Sequence, residues 1–154
     1  MVGGRSIRWE LEATRLPTGF IGIKAVIQLH VRSSVGRFPP IGFQVDSAAN
    51  VTSISVTRAW EFGITVPQKT VEANVRTSAG TFRQRVHPGR ITVRVPGLPG
   101  RDFYWPCHFV EHAGAAPVAL LGLSGVLDDQ RIILDGTYSE DAPYGWLILE
   151  EASR

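Results

Sequence analysis

Val45-Asp46-Ser47-Ala48-Ala49-Asn50-Val51-Thr52-Ser53-Ile54-Ser55 is the stretch on which the reading of this chain turns. An acid ends an apolar run, and a hydroxyl residue and two small residues follow it. The chain then returns to alternating apolar and hydroxyl residues, the period of a half-buried strand. Such a pattern mounts a carboxylate on a tight loop between strands, with no bulky side chain to block approach. By itself the pattern is common, because a solvated turn acid and a reactive acid look alike at this level.

Upstream, Pro39-Pro40 leads into Ile41-Gly42-Phe43-Gln44-Val45, a short apolar strand that runs straight into Asp46. Earlier, Gly22–Val31 reads as one longer strand closed by Arg32-Ser33-Ser34, and Ile7, Trp9 and Leu11 share one face of an alternating segment. Downstream, Thr57–Phe62 suits about two helical turns, with Gly63 where a left-handed C-terminal cap sits. Strands resume at Thr70–Thr77, Thr81–Val86, Ile91–Val95 and Phe103–Glu111. Ser78-Ala79-Gly80, Pro88-Gly89 and Pro96-Gly97-Leu98-Pro99-Gly100 separate them and read as turns. Pro117–Leu121 and Ile132–Leu134 are apolar runs of the buried type, Asp135-Gly136 reads as a turn, and Gly145–Glu150 is the last strand. About ten short strands against one or two short helices, at this spacing, predict an all-β fold closed into a β-barrel.

The bulk numbers agree. With 154 residues, 44 % hydrophobic and 19 % charged, the chain is long enough for one packed domain and too short for two comfortable ones. Sixteen glycines and ten prolines favour turns over long helices. A net charge of +2 without a run of basic residues gives no support to nucleic acid as a partner. The densest cluster, Arg83, Arg85, His87, Arg90 and Arg94, alternates with apolar or small residues and reads as the wet face of strands. The first ten residues lack the apolar core of a secretory signal, and charges interrupt every apolar stretch before membrane-spanning length. Cys107 is the only cysteine, so no intrachain disulfide forms. A soluble, cytoplasmic protein without a membrane partner is the expectation.

Other constellations read as structure. Cys107, His108 and His112 invite a metal, but only His30 and His87 remain to complete a set of three or four ligands, so no metal is expected. Cys107 lies in an apolar strand and reads as buried packing. Asp128-Asp129 and Glu140-Asp141 are adjacent acids, which read as solvated charge because neighbours on a strand point to opposite faces. Trp9, Trp60, Trp105 and Trp146 are spread along the chain and read as core. No glycine-rich phosphate loop is present.

Asp46-Ser47-Ala48-Ala49 resembles the Asp-Thr/Ser-Gly-Ala signature of retropepsin-like aspartic proteases, with an apolar strand before it and a short helix ending in Gly63-Ile64 after it. Ala119-Leu120-Leu121-Gly122-Leu123-Ser124-Gly125-Val126-Leu127 resembles that family's segment of two hydrophobic residues and a glycine, where a strand passes beside the catalytic loop and enters a short helix. Gln130–Asp135 resembles the strand that follows. The resemblance spans residues 41–136 and implies one retropepsin-like domain over residues 1–154.

That resemblance implies an aspartic endopeptidase without metal or other cofactor, acting on peptide or protein substrates. The chain has one such motif, so Asp46 from each of two copies would form the catalytic dyad of a homodimer. It also implies that Ser47 bonds across the two-fold axis, that Ala48, Ala49, Leu121 and Gly122 support the dyad, and that a hairpin flap has its tip at Ser78-Ala79-Gly80. Three positions depart from the pattern. Ala48 stands where the family has glycine, Leu123-Ser124 follows Gly122 where many viral members carry an arginine, and Asn50 replaces the acid that pairs with it. A catalytically silent barrel, kept for dimerisation or peptide binding, is the rival reading, favoured by Ala48.

Overall fold

The computed structural model describes residues 5–77, 80–98, 100–111 and 119–152. In chain order the elements are β1 (Ser6–Glu10), β2 (Glu12–Arg15), β3 (Ile21–Lys24), β4 (Val26–Val31), β5 (Pro40–Val45), β6 (Thr52–Ser55) and α1 (Val56–Glu61). There follow β7 (Val71–Thr77), β8 (Gly80–Arg94), β9 (Phe103–Val110), β10 (Ala119–Leu121), α2 (Val126–Asp129), β11 (Gln130–Asp135) and β12 (Trp146–Glu151). The fold is all-β.

The main sheet runs β4-β5-β10-β6-β9-β8-β7, and β4 also pairs with β8. Through that extra pairing, His30↔Arg94 and Val31↔Val93, the strands from β4 to β8 close into a hydrogen-bonded ring. Closure leaves the β7–β8 arm projecting from the ring, with β7 at the end of the strand order. A second antiparallel sheet, β1-β12-β11, joins the two ends of the chain, while β2 and β3 form a separate hairpin.

Alternation explains the core. β4 and β9 turn every second side chain inward, and Ile27, Leu29, Phe43, Trp105 and Phe109 are fully buried. Leu147 and Leu149 of β12 belong to the same cluster, so ring and terminal sheet share one apolar core. Each such side chain contributes roughly 1.5–3 kcal/mol on leaving water. Polar ties reinforce the junction: Trp105 Nε1 donates to Asp129 Oδ2 at 3.1 Å, and Arg101 pairs with Glu151 at 2.6 Å. The helix α1 forms as its sequence predicts. Ser55 Oγ caps it by accepting from the Arg58 N–H at 3.2 Å, and Gly63 ends it with φ +67°.

Four expectations are corrected. Thr81–Val86 and Ile91–Val95 are not separate strands: β8 runs unbroken through Pro88-Gly89. It changes partner near Val86, leaving β7 and joining β9, so Pro88 sits opposite His108 within a ladder. Gly89 is needed for close approach, since a Cβ there would lie 2.9 Å from Pro67 Cγ. Gly22–Val31 is divided at Ala25, because its first half pairs with β2 and its second with β5. Trp60 is 69 % exposed rather than core, being on the outer side of α1. His87 is not on a wet face: its side chain is 12 % exposed and bonded at both nitrogens, whereas Arg83, Arg85, Arg90 and Arg94 are exposed as expected.

Candidate active site

Strand β10 lies between the two strands that the Asp46 loop connects. It runs parallel to β5, with Leu120↔Gln44 and Leu121↔Val45, and antiparallel to β6, with Ala119↔Ile54 and Leu120↔Ser53. The loop from Asp46 to Val51 therefore has to pass over the end of β10, and this end supplies its anchors. Asp46 N–H donates to Leu121 O at 3.0 Å. On the far side, Leu123 N–H donates to Ala49 O at 3.1 Å and Ser124 N–H to Asn50 O at 2.8 Å.

Gly122 makes this crossing possible. A Cβ there would overlap the Val51 carbonyl carbon and lie 2.6 Å from Val51 O and 2.7 Å from Thr52 N. Its N–H donates to Thr52 Oγ1 at 3.1 Å, a buried bond to a side chain with no exposed surface. Thr52 is a residue that sequence reading missed. Its signal was a hydroxyl two residues before Ile54, on the same inward face of β6, a position that burial makes costly without a partner.

Asp46 is partly exposed, and its Oδ1 accepts the Ala48 N–H at 3.0 Å in a bond open to solvent. Ala49 N–H closes the turn onto Asp46 O at 3.0 Å. Among the described residues no residue other than glycine has positive φ, so Ala48 stands in a backbone conformation open to any L-residue. Its methyl group does not strain the loop. Ser47 and Ala48 are exposed, Ala49 is partly covered, and Leu121 and Gly122 are buried behind them. Asp46, Ser47, Ala48, Ala49, Leu121 and Gly122 thus come together in one place: a carboxylate among small residues on a surface, backed by a hydrogen-bonded clamp.

The hairpin of β7 and β8 pairs from Val71↔Val86 to Thr77↔Gly80. Ser78 and Ala79, expected at its tip, lie outside the described residues. Gly80 has φ +125°, a conformation that L side chains rarely adopt. At the other end of the arm, His87 Nδ1 is 2.6 Å from Pro67 O and Nε2 is 2.8 Å from Glu111 Oε1. His87 thereby ties the segment entering β7 to the residue leaving β9. Sequence reading grouped it with surface arginines, since its partners lie 20 and 24 residues away.

Among the described residues Cys107 joins no group that could bind a metal ion. Cys107 is fully buried, and burial pushes its thiol up to about 12 against a lowering hydrogen bond from the Ile54 backbone. His112 lies outside the described residues, and among the described residues no group of three potential ligands could hold a metal ion. No described helix is long and apolar enough to cross a membrane.

No protein-family model matches the sequence, and no curated protein does. Among solved structures the chain is similar to a retropepsin-like aspartic protease from Rickettsia conorii, with 18 % identity, a TM-score of 0.53, and coverage of 99 % of this chain and 98 % of that one. EIAV protease in complex with the inhibitor HBY-793 also matches, with 12 % identity and a TM-score of 0.43, over 64 % of this chain and 81 % of that one. Over nearly its whole length, then, this chain has the retropepsin-like fold.

Proposed function

We propose that the protein is an aspartic-type endopeptidase that acts as a homodimer, with Asp46 of each copy forming the catalytic pair. The observation that carries this reading is the Asp46 loop itself, a carboxylate clamped by β10 on an exposed, small-residue surface, within a fold similar to retropepsin-like proteases. One chain offers one such loop, so two must meet for the chemistry to run.

Two carboxyl groups held close together cannot both ionise, and they share one proton. The ionised member takes a proton from a bound water, which attacks the scissile carbonyl. The protonated member donates to the carbonyl oxygen and, as the tetrahedral intermediate collapses, a proton passes to the leaving nitrogen. Neither a metal nor a covalent intermediate takes part. The Ala48 N–H holds one carboxyl oxygen in place, so the group enters the reaction already oriented. Ser47 bonds across the two-fold axis. The substrate is a peptide in extended conformation, received between the Asp46 loops and the β7–β8 arms as an added strand.

Replacing Asp46 by asparagine tests this in purified protein. The expected outcome is loss of peptide cleavage with an unchanged thermal midpoint; undiminished cleavage would overturn the assignment.

The second reading, a silent module for dimerisation or peptide binding, rests on Ala48 in place of glycine. The absence of positive φ at Ala48 weakens it, since the methyl group costs the loop no backbone strain. Cleavage of a mixed peptide library across acidic and neutral pH, with pepstatin as the inhibitor control, separates the two. Activity blocked by pepstatin favours the enzyme, and none at any pH favours the silent module.

A further inference from the structure

The hairpin of β2 and β3 forms its own two-stranded sheet, exposed at every residue of β2 and at all of β3 except Gly22. Its place is beside Asp46. β3 runs into β4 through Ala25, whose carbonyl accepts the Val45 N–H at 2.8 Å, and Val26 pairs with Gln44. Continuing that register sets Lys24 level with Asp46, so the hairpin rises past the end of the ring where the Asp46 loop lies. At about 3.3 Å per residue, β3 reaches roughly 10 Å beyond that level.

The two faces of the hairpin differ. On one, Leu16 folds back over Gly22, where an added Cβ would lie 3.1 Å from Leu16 Cδ2, so this face covers itself. On the other, Ala13 pairs with Ile23 and Arg15 with Ile21. Ile21 and Ile23 keep the period of Ala25 and of the fully buried Ile27, Leu29 and Val31, and so prolong the core face of β4 beyond the core. They are 46 % and 49 % exposed. Arg15 is exposed too, and makes no ion pair among the described residues. A two-stranded ribbon is marginal in water, and aliphatic side chains left uncovered on it mark a contact surface.

We propose that this face is a specificity wall of the substrate cleft. It selects extended peptides with an aliphatic residue within about three positions of the scissile bond and an acidic residue two positions farther out. Residues two apart in an extended peptide project to the same side, at the spacing that separates the Ala13–Ile23 pair from the Arg15–Ile21 pair. The aliphatic side chain rests on Ile23 and Ala13, and the acid meets the Arg15 guanidinium. Substrate is the occupant because the face continues from the Asp46 end of the ring and carries a cation at its outer end. The inference rests on the protease reading above and adds the sequence that the enzyme prefers.

Library cleavage by the wild-type chain at acidic and neutral pH, followed by rates on a matched peptide set, tests the wall. The parent peptide has valine and glutamate at the two positions; in its copies lysine replaces the glutamate or serine replaces the valine. Arg15→Glu should invert the charge preference, moving the ratio of kcat/KM for the glutamate over the lysine peptide by about tenfold or more. Ile23→Thr, which keeps a strand-forming side chain, should lower the valine-over-serine ratio by about threefold or more. A purely structural hairpin would slow all peptides alike and leave both ratios where they stand. Unchanged ratios in both variants, or a wild-type profile flat at these positions, overturn the wall and leave the Asp46 dyad standing. A library that wild type leaves uncut overturns the protease reading, and the wall with it.

Discussion

The loop that carries Asp46 and the arm formed by β7 and β8 are held in opposite ways. The loop is fastened at both ends by backbone hydrogen bonds to the end of β10 and to Leu123 and Ser124 just beyond it, and backed by a glycine with no room for a methyl group. The arm has β7 as a free edge; β8 continues from it into the ring, the Glu111 N–H donates to Arg85 O at 3.2 Å, and the side chain of His87, bonded to Pro67 and Glu111, adds a tie at its base. Backbone clamps fix a reacting group within tenths of an ångström, as acid–base chemistry requires. A hairpin tied at its base can open locally without unfolding the rest. Under the proposed function the first region would supply geometry and the second access.

The contrast can be broken from either side. The largest effect should follow Gly122→Ala, whose new methyl group meets backbone atoms of Val51 and Thr52 that have no side-chain freedom to yield. A loss of at least about 3 kcal/mol is expected in urea unfolding, or failure to fold at all. Thr52→Val comes next. It keeps the shape but leaves the buried Gly122 N–H without an acceptor, at a cost of about 1–3 kcal/mol in the same measurement.

The arm should respond differently. His87→Ala removes two bonds at its base for about 1–2 kcal/mol, and the telling readout is local. Amide exchange should quicken across residues 71–86 while the β5-β10-β6 region keeps its protection. Uniform quickening would mean that arm and clamp unfold as one unit.

The smallest change is expected for Ala48→Gly, which installs the glycine of the signature that the loop resembles. Ala48 already occupies an unstrained conformation, so glycine brings only a more flexible unfolded chain and a loss of about 0.4–1 kcal/mol. Faster cleavage in that variant would show that the methyl group crowds the substrate or the partner loop.

Much of the clamp was legible in the sequence. An acid at the end of an apolar strand, two hydrophobic residues with glycine farther on, and a capped helix between them are local patterns, and each forms where it reads. What was hidden depends on contacts distant in the chain. Pro88-Gly89 looks like a turn, yet lies inside β8 because the strand exchanges partners there and Pro67 packs on the glycine. The break at Ala25 has the same cause, a change of partner that no alternation reveals. Thr52 and His87 were passed over because their roles come from acceptors and donors 70, 20 and 24 residues away. Trp60 misled in the opposite direction, since an aromatic residue on a two-turn helix has an outer face available to it.

The central claim is that each active site is built from two copies of Asp46, and a mixing titration tests it most directly. Wild-type protein and the Asp46→Asn variant are combined at constant total concentration, allowed to exchange subunits, and assayed for peptide cleavage. A shared dyad predicts that activity follows the square of the wild-type fraction, falling to about a quarter at equal mixing. A linear decline, to about a half at that point, would mean that each chain works alone and would contradict the account.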